Sequence, residues 1–197
     1  MTKQLGFYYQ QEHCSGCCTC QVACKDKNDL EGGQLFRKVK EFSGGDYWQI
    51  GKIVHQNIYA FWLSVSCNHC QDPVCLKNCP SGAIQKRPAD GIVFIDQERC
   101  VGCHSCAENC PYGAPQFNPK NGKMGKCDFC RGLLAESKPP VCVAACPLRL
   151  LEYGQLDELR QTYGSTSRIQ GMPSSDLTKP SLVITPHRDA IWNKTET

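Results

Sequence analysis

Cysteine is the residue type in this chain whose number and spacing point most directly to chemistry. The 197 residues contain 17 cysteines, and 16 of them fall into four groups that each end in Cys-x3-Cys. In three groups, proline follows the last cysteine. The groups are Cys14, Cys17, Cys20 and Cys24; Cys67, Cys70, Cys75 and Cys79; Cys100, Cys103, Cys106 and Cys110; and Cys127, Cys130, Cys142 and Cys146. In bacterial ferredoxins such runs hold 4Fe–4S clusters, and the fourth cysteine ligates a second cluster. Four ligands per cluster therefore predict four 4Fe–4S clusters and an electron-carrying protein.

Three other uses of cysteine fit the pattern less well. The cysteine density is that of disulfide-stapled secreted domains, but such domains are usually shorter, and residues 1–4 begin no apolar signal segment. Structural zinc sites pair two Cys-x2-Cys motifs across a longer loop, without a fourth cysteine followed by proline. A thioredoxin-like redox site needs a single Cys-x2-Cys motif. The spacing therefore favours iron–sulfur clusters.

The spacing within a group also suits a cubane cluster chemically. One thiolate must reach each iron, and a short Cys-x2-Cys-x2-Cys loop can wrap the cluster while its backbone N–H groups point towards the sulfurs. The fourth cysteine lies a helical turn later and faces a neighbouring cluster, and proline after it turns the chain out of the helix. Two clusters joined by exchanged cysteines must lie close together, as electron transfer requires.

Length and composition restrict the class of protein further. A chain of 197 residues forms one or two small domains, and its 41% hydrophobic content is slightly low unless ligated clusters replace part of the core. The net charge of +3 is spread without a basic run, so we expect no nucleic-acid partner. No segment approaches the roughly 20 apolar residues that span a bilayer, so we expect no direct membrane span. No set of side chains suggests a nucleophile or general base, so we expect no catalytic activity of its own.

The segments between the groups predict short strands and helices. The predicted strands are 5–9, 58–65, 83–87, 92–95 and 150–153, and the predicted helices are 18–26 and 156–163. The strands 83–87 and 92–95 form a hairpin between the second and third groups. Residues 31–58 are expected to form a loop-rich excursion. The tail from residue 165 is rich in Ser, Thr and Pro and would be disordered alone, so we hypothesise an arm that lies across a partner subunit.

Motifs around the cysteines resemble those of one family. The second group reads Cys-x2-Cys-x4-Cys-x3-Cys-Pro and the fourth reads Cys-x2-Cys-x11-Cys-x3-Cys-Pro. The accompanying motifs are Gly44-Gly45-Asp46, His55-Gln56-Asn57, Ser66-Cys67-Asn68-His69-Cys70, Cys79-Pro80-Ser81-Gly82-Ala83, Ala114-Pro115-Gln116, Lys126-Cys127-Asp128 and Cys146-Pro147-Leu148. Over roughly residues 5–164 the chain is similar to the four-cluster electron-transfer subunits of molybdopterin oxidoreductases, and among them it resembles the iron–sulfur B subunits of DMSO reductases. The resemblance implies an α+β fold of two fused bacterial-ferredoxin-like units, each binding two 4Fe–4S clusters, with loop insertions and an extended C-terminal arm.

The resemblance also implies how the groups share clusters. The implied ligands are Cys14, Cys17, Cys20 and Cys146 for the first cluster; Cys24, Cys127, Cys130 and Cys142 for the second; Cys79, Cys100, Cys103 and Cys106 for the third; and Cys67, Cys70, Cys75 and Cys110 for the fourth. Residues 1–57 plus 119–164 would form the first ferredoxin-like unit with its loop insertion. Residues 58–118 would form the second unit, inserted in the first, and residues 165–197 the extended tail. Some relatives carry tryptophan at the position of Cys103 and bind a 3Fe–4S cluster there, so cysteine predicts 4Fe–4S.

By the same resemblance, the chain relays electrons between two partners. The first cluster would face a molybdopterin-containing catalytic subunit, and the fourth an integral membrane subunit that oxidises quinol. The sequence has no Arg-Arg pair, so we expect no twin-arginine signal of its own. It would lie peripherally on the cytoplasmic membrane, on the outer face after co-export with a signal-bearing catalytic subunit, or alternatively on the cytoplasmic face. The alternative function is a soluble polyferredoxin, or a relay subunit of a formate dehydrogenase or hydrogenase complex.

A few residues beside the predicted ligands have simpler interpretations. Cys18 would replace Cys17 only at an unusual spacing, so a small buried thiol is the favoured interpretation. Histidine can ligate some clusters, but here every iron already has a cysteine. The neighbouring histidines are therefore expected to donate hydrogen bonds or shape the surface, and they are His13, His69 and His104. For three basic residues, solvated surface charge is the favoured interpretation, and an electrostatic rise of nearby reduction potentials is the alternative; they are Lys86, Arg87 and Arg131.

Overall fold

The computed structural model describes residues 3–191, which form a mixture of short strands and short helices. The strands are β1 (Leu5–Gln10), β2 (Lys38–Gly44), β3 (Tyr47–Ile50), β4 (Ile53–Gln56), β5 (Tyr59–Val65), β6 (Ile84–Lys86), β7 (Val93–Ile95), β8 (Gln116–Asn118), β9 (Lys123–Gly125), β10 (Leu151–Gln155) and β11 (Leu182–Thr185). The helices are α1 (Thr19–Lys27), α2 (Val74–Lys77), α3 (Ser105–Glu108), α4 (Arg131–Ala135), α5 (Val141–Ala145) and α6 (Leu156–Tyr163). This confirms a mixed α and β fold, and no helix within residues 3–191 has the length and apolar character to cross a membrane.

A three-stranded sheet with the order β10-β1-β11 joins the two ends of the described chain. Strand β1 runs antiparallel to β10 and parallel to β11. Its side chains are buried on both faces: Phe7 and Tyr9 point into the main core, while Tyr8 packs with residues of α6 and β11. A strand covered on both faces reads as a continuous apolar run, which is how Leu5–Gln10 was recognisable in the sequence.

The C-terminal tail differs from the expected extended arm. Strand β11 lies in the sheet, and Val183 and Ile184 are fully buried. Earlier in the tail, Ile169 and Met172 enter the same core as β1. The backbone around Thr178 also bonds to the second cysteine group. The prediction of an extended arm is therefore wrong for the described tail up to residue 191, because the apolar side chains of this segment are buried in the protein's own core. Residues 192–197 lie outside the described residues.

Residues 31–58 also contain more regular structure than the expected loop-rich excursion. Strand β2 pairs with β5 in a long antiparallel ribbon, and β3 pairs with β4 in a second hairpin. Gly45, at φ +95, permits an approach to Asn57 so close that a Cβ would lie 2.4 Å from its carbonyl oxygen. The β3–β4 hairpin exposes large apolar side chains, including Tyr47 at 69% and Ile53 at 64%. We call this feature the apolar hairpin.

The predicted hairpin between the second and third cysteine groups is confirmed as β6 and β7. It lies in a small apolar core that contains Ile84, Val93 and Met124 together with Cys75 and Cys106. A larger core surrounds β1, β5 and β10 and contains other cysteines. The two cores place the cysteine groups around buried apolar layers, so thiols replace aliphatic side chains in both.

Candidate iron–sulfur sites

Three cavities in the described part of the chain are each lined by cysteines from two different sequence groups. The sets are Cys14, Cys17, Cys20 and Cys146; Cys67, Cys70, Cys75 and Cys110; and Cys79, Cys100, Cys103 and Cys106. Each cavity thus combines three cysteines of one group with the last cysteine of another. We name each set by its lowest-numbered member, so these are the Cys14 set, the Cys67 set and the Cys79 set.

The remaining cysteines form the Cys24 set, which comprises Cys24, Cys127, Cys130 and Cys142. Helix α1, which carries Cys24, packs against α5, which carries Cys142. Burial, together with the thiolate charges of Cys142 and Cys130, raises the pKa of Cys24 to about 11. Burial also raises the pKa of Cys127 well above its usual value, and the thiolates of Cys67 and Cys24 add to this rise. The structure therefore brings all sixteen predicted ligands into the four sets that the resemblance implied; their role as ligands stays a prediction.

The donor chemistry of the four sets fits iron–sulfur clusters. Each set supplies thiols, and a cubane needs one thiolate for each of its irons around a compact cluster. Within residues 3–191, no group of three or more His, Cys, Asp or Glu side chains could hold a single metal ion. Burial raises the pKa of Cys70 and of Cys75 to about 12, so these thiols are neutral near pH 7 and release protons when they bind metal.

The loop of each group repeats one unusual backbone conformation. In the first Cys-x2-Cys pair of every group, the residue before the second cysteine is left-handed, with φ between +41 and +69. These residues are Gly16, His69, Gly102 and Phe129. A left-handed residue turns successive N–H groups towards one volume, which makes an anion-binding nest. His69 and Phe129 adopt it although it costs a non-glycine residue about 1–2 kcal/mol. Strain repeated at the same position points to a common anionic ligand.

Backbone hydrogen bonds from within one loop and from outside the others reach the cysteine sulfurs. The backbone N–H groups of Phe129, Leu150 and Met124 each donate to a cysteine Sγ at 3.4 Å. The acceptors of these three bonds are Cys127, Cys146 and Cys100 respectively. Such bonds stabilise the thiolate form and tune the reduction potential of a bound cluster.

Contacts between the sets give their order in space. The pKa of Cys20 is raised first by burial, with the thiolate of Cys142 among its neighbours, so the Cys14 set adjoins the Cys24 set. Lys126 Nζ lies 3.3 Å from Cys67 Sγ and 2.9 Å from the carbonyl oxygen of Cys127, so the Cys24 set adjoins the Cys67 set. The Cys67 set in turn shares the smaller apolar core with the Cys79 set, so these two sets are neighbours.

This order bears on one expectation drawn from the resemblance, that the fourth cluster, assigned to the Cys67 set, faces the membrane partner. The contacts place the Cys67 set between the Cys24 set and the Cys79 set. Which set faces the membrane partner stays a prediction. The exchange of last cysteines indicates that the Cys67 and Cys79 sets pair with each other. It does not indicate which of these two sets lies next to the Cys24 set.

Exposure follows the same order. Among the sixteen predicted ligands, Cys17 and Cys103 are the exposed ones, and the others are buried or partly buried. Cys17 belongs to the Cys14 set and Cys103 to the Cys79 set, the two ends of the array. The cysteines of the interior sets are therefore all buried or partly buried, whereas each terminal set has one exposed cysteine.

Two buried cations lie between neighbouring sets. Arg37 and Lys126 are 2% and 6% exposed. Neither pairs with a carboxylate in the described part of the chain. Sequence reasoning missed Arg37, because it lies in the segment expected to be a loop, and Lys126 was noted only as part of a motif. The basic residues Lys86 and Arg87 instead contact surface carbonyl and carboxylate oxygens.

The residues beside the ligands have structural contacts of their own. His69 Nδ1 accepts a hydrogen bond from the Val93 N–H at 3.1 Å, and burial, helped by the nearby charge of Lys126, lowers its pKa well below the usual value. His104 lies against Phe117, with ring centroids 4.5 Å apart. Cys18 lines the Cys14 cavity, but its Sγ donates to the Gly16 carbonyl oxygen at 3.3 Å. The side chain of His13 is mostly exposed.

Residues 58–156 match the 4Fe-4S dicluster domain family. The B subunit of the anaerobic dimethyl sulfoxide reductase of Escherichia coli (strain K12) is 47% identical over 190 residues, which cover 96% of this protein and 92% of that one. The corresponding B subunit of Haemophilus influenzae is 46% identical, covering 95% and 92%. The thiosulfate reductase electron transfer subunit of Salmonella typhi is 36% identical, covering 80% and 79%. These matches confirm the resemblance that the cysteine groups indicated, and the prediction of 4Fe–4S cofactors.

Proposed function

The protein belongs to the family of iron–sulfur subunits of the anaerobic dimethyl sulfoxide reductases, and we propose that it relays electrons through four 4Fe–4S clusters. The Cys14, Cys24, Cys67 and Cys79 sets would each hold one cluster. When bound, a cluster supplies reversible one-electron redox chemistry. The chain itself would hold the clusters, cover the interior ones more than the terminal ones, and donate hydrogen bonds to their cysteine ligands. It has no catalytic role in this proposal.

The observation that carries the proposal is the distribution of exposed cysteines along the array. An electron relay needs closed interior sites and an accessible site at each end. Cys17 and Cys103 are exposed in the two terminal sets, and every cysteine of the Cys24 and Cys67 sets between them is buried or partly buried. This supports entry of electrons at one end and exit at the other. The division into two ferredoxin-like units, 1–57 plus 119–164 and 58–118, agrees with the pairing of the sets.

The partners in this proposal are a molybdopterin-containing catalytic subunit and a quinol-oxidising integral membrane subunit. We assign the catalytic subunit to the end with the Cys14 set. The membrane subunit goes to the end with the Cys79 set, in place of the Cys67 set. The apolar hairpin is assigned to docking of the catalytic subunit. The protein would lie on the outer face of the cytoplasmic membrane after co-export with that subunit, or alternatively on the cytoplasmic face.

Substitution of one ligand tests the proposed sharing of clusters. Cys146→Ser is expected to remove the cluster of the Cys14 set and leave that of the Cys24 set, although Cys142 and Cys146 lie in one sequence group. Cys18→Ser is the matched control, because it removes a thiol that lines the same cavity and is not a proposed ligand. Iron content and EPR spectra of the reduced complex are measured for both variants. If Cys146→Ser loses only the cluster of the Cys24 set, the proposed exchange of last cysteines between groups is wrong.

Isolation of the complex tests the proposed partners. Pull-down of the tagged protein from detergent-solubilised membranes is expected to recover a large molybdopterin-containing subunit and an integral membrane subunit. Recovery of a monomeric soluble protein would instead identify a polyferredoxin. A partner that oxidises formate or hydrogen would identify a relay of that class. Protease treatment of intact spheroplasts distinguishes the outer from the cytoplasmic face.

A further inference from the structure

Arg37 is buried between the Cys14 set and the Cys24 set. Its guanidinium lies over the ring of Phe7, 5.0 Å from the ring centroid. Nη1 donates to the carbonyl oxygen and to the hydroxyl of Ser64, both at 3.2 Å, and Nη2 donates to the hydroxyl of Ser66 at 3.2 Å. These bonds fix the cation against β5, in the layer that also contains the cysteines.

Two connections lead from Arg37 to cysteines of different sets. The Ser64 hydroxyl that accepts from Arg37 lies 3.3 Å from Cys20 Sγ, so a series of polar atoms reaches the Cys14 set. On the other side, the backbone N–H of Arg37 donates a hydrogen bond to the Cys24 sulfur, which places the same residue beside the Cys24 set. One residue therefore acts on both sets.

The charge of Arg37 has no balancing carboxylate in the described part of the chain. Its Nε also has no hydrogen-bond partner among the described residues. A buried cation is costly unless a negative charge lies close by. The thiols of Cys142 and Cys20 lie beside Arg37. Once these cysteines ligate clusters, the negative charge that accompanies Arg37 would be that of the two cysteine sets.

We propose that Arg37 is a positioning residue shared by the first two cluster sites, and that its fixed charge raises the reduction potentials of both. Ser64 passes a hydrogen bond from it to the Cys14 site. This rests on the proposed function, because it takes the Cys14 and Cys24 sets as cluster ligands. A cluster becomes more negative by one charge on reduction, so a nearby fixed cation favours the reduced state. Bonds to Ser64 and Ser66 alone, as in a purely structural role, would not shift a potential in this way.

The test uses the intact complex in membranes, poised with redox mediators and a chemical reductant and monitored by EPR. Arg37→Gln removes the charge, and Arg37→Lys keeps the charge without the guanidinium fork. Lys40→Gln removes a charge from an exposed position on the neighbouring strand and serves as the control. The iron content of each preparation shows whether the clusters are loaded.

Arg37→Gln is expected to lower the midpoint potentials of the Cys14 and Cys24 sites. The expected change is about tenfold in the reduction equilibrium, or about 59 mV for a one-electron couple. Arg37→Lys should retain most of the wild-type potential, and Lys40→Gln should leave all midpoints unchanged. A fully loaded Arg37→Gln complex with unchanged midpoints, or with all midpoints lowered equally, would refute the inference.

A second variant decides the outcome if Arg37→Gln does not load iron. Ser64→Ala leaves the cation in place and removes the hydroxyl beside Cys20. A drop confined to the Cys14 site supports the inference, and unchanged midpoints overturn it. A wild-type complex that shows no 4Fe–4S signals would instead refute the proposed function, so the two failures are distinguishable.

Discussion

Removal of strand β11 is expected to prevent folding, not merely to release a docking arm. The side chains of Leu182, Val183 and Ile184 are 5%, 0% and 0% exposed. Burial of such side chains stabilises a protein by about 1.5–3 kcal/mol each, so the three together contribute about 4.5–9 kcal/mol. The whole stability of a typical domain is about 5–15 kcal/mol. A chain that ends at residue 164 should therefore lose most or all of its stability.

A single substitution in β11 is expected to cause a smaller loss of stability than removal of the strand. Ile184→Ala is expected to destabilise the protein by about 2–5 kcal/mol, because it leaves a cavity in a covered strand. Leu177→Ala is the matched control: its side chain lies in the same tail but is 56% exposed, so the change should stay within about 0.5 kcal/mol. Anaerobic urea unfolding of the cluster-loaded full chain, followed by circular dichroism, measures both. If the truncated chain and Ile184→Ala unfold at the wild-type urea concentration, β11 does not belong to the fold.

Three further predictions concern the loops, the surface and the interior charge. Gly16→Ala places a Cβ 2.3 Å from an indole nitrogen at φ +69, so it should destabilise the Cys14 site by at least about 1–2 kcal/mol and reduce its iron content. Gly132→Ala, where a Cβ meets nothing within 4 Å, is the control, and equal iron loss in both would contradict the clash. Ile53→Asp on the apolar hairpin should change stability by less than about 0.5 kcal/mol, yet weaken recovery of the proposed catalytic partner about tenfold. Unchanged recovery would exclude the hairpin from docking. Lys126→Met should lower the midpoints of the two sites that it separates by about tenfold in the reduction equilibrium, and an EPR titration in which the outermost site alone moves would contradict the order of the array.

The cysteine pattern predicts the content of the sites well because ligation imposes strict local geometry. A Cys-x2-Cys loop must turn around its cluster, and Gly16 and Gly102 in the sequence already indicate the left-handed turns that the structure shows. His69 and Phe129 occupy the same turns without any such signal, since the strain is visible only in the backbone. The cysteine spacing therefore predicts all four loops, but residue type reveals the left-handed turn in only two of them, at Gly16 and Gly102.

Features that depend on distant contacts could not be predicted. Arg37 is anchored by serines 27 and 29 residues away, and nothing near it in the sequence marks it as buried. Strand β11 is only four residues long, so its apolar run shows no clear strand periodicity. Its partner β1 lies more than 170 residues earlier in the sequence, so the pairing was not visible in the sequence. The interior position of the Cys67 set is visible from the contact between Lys126 and Cys67, two residues that are 59 positions apart in the sequence. Such arrangements follow from packing between elements, which spacing along the chain does not encode.

The sheet that joins distant parts of the described chain constrains how the protein is made. Strand β1 is synthesised well before its partners, residues 151–155 and 182–185. Because synthesis proceeds from the N-terminus, β1 waits unpaired through most of translation. The Cys14 cavity likewise stays open until Cys146 is synthesised, whereas every cysteine of the Cys67 and Cys79 sets has been made by residue 110. The cysteines of the Cys67 and Cys79 sets, in the middle of the chain, are therefore complete before those of the Cys14 set, and the apolar strand β1 stays unpaired until β10 and β11 are synthesised.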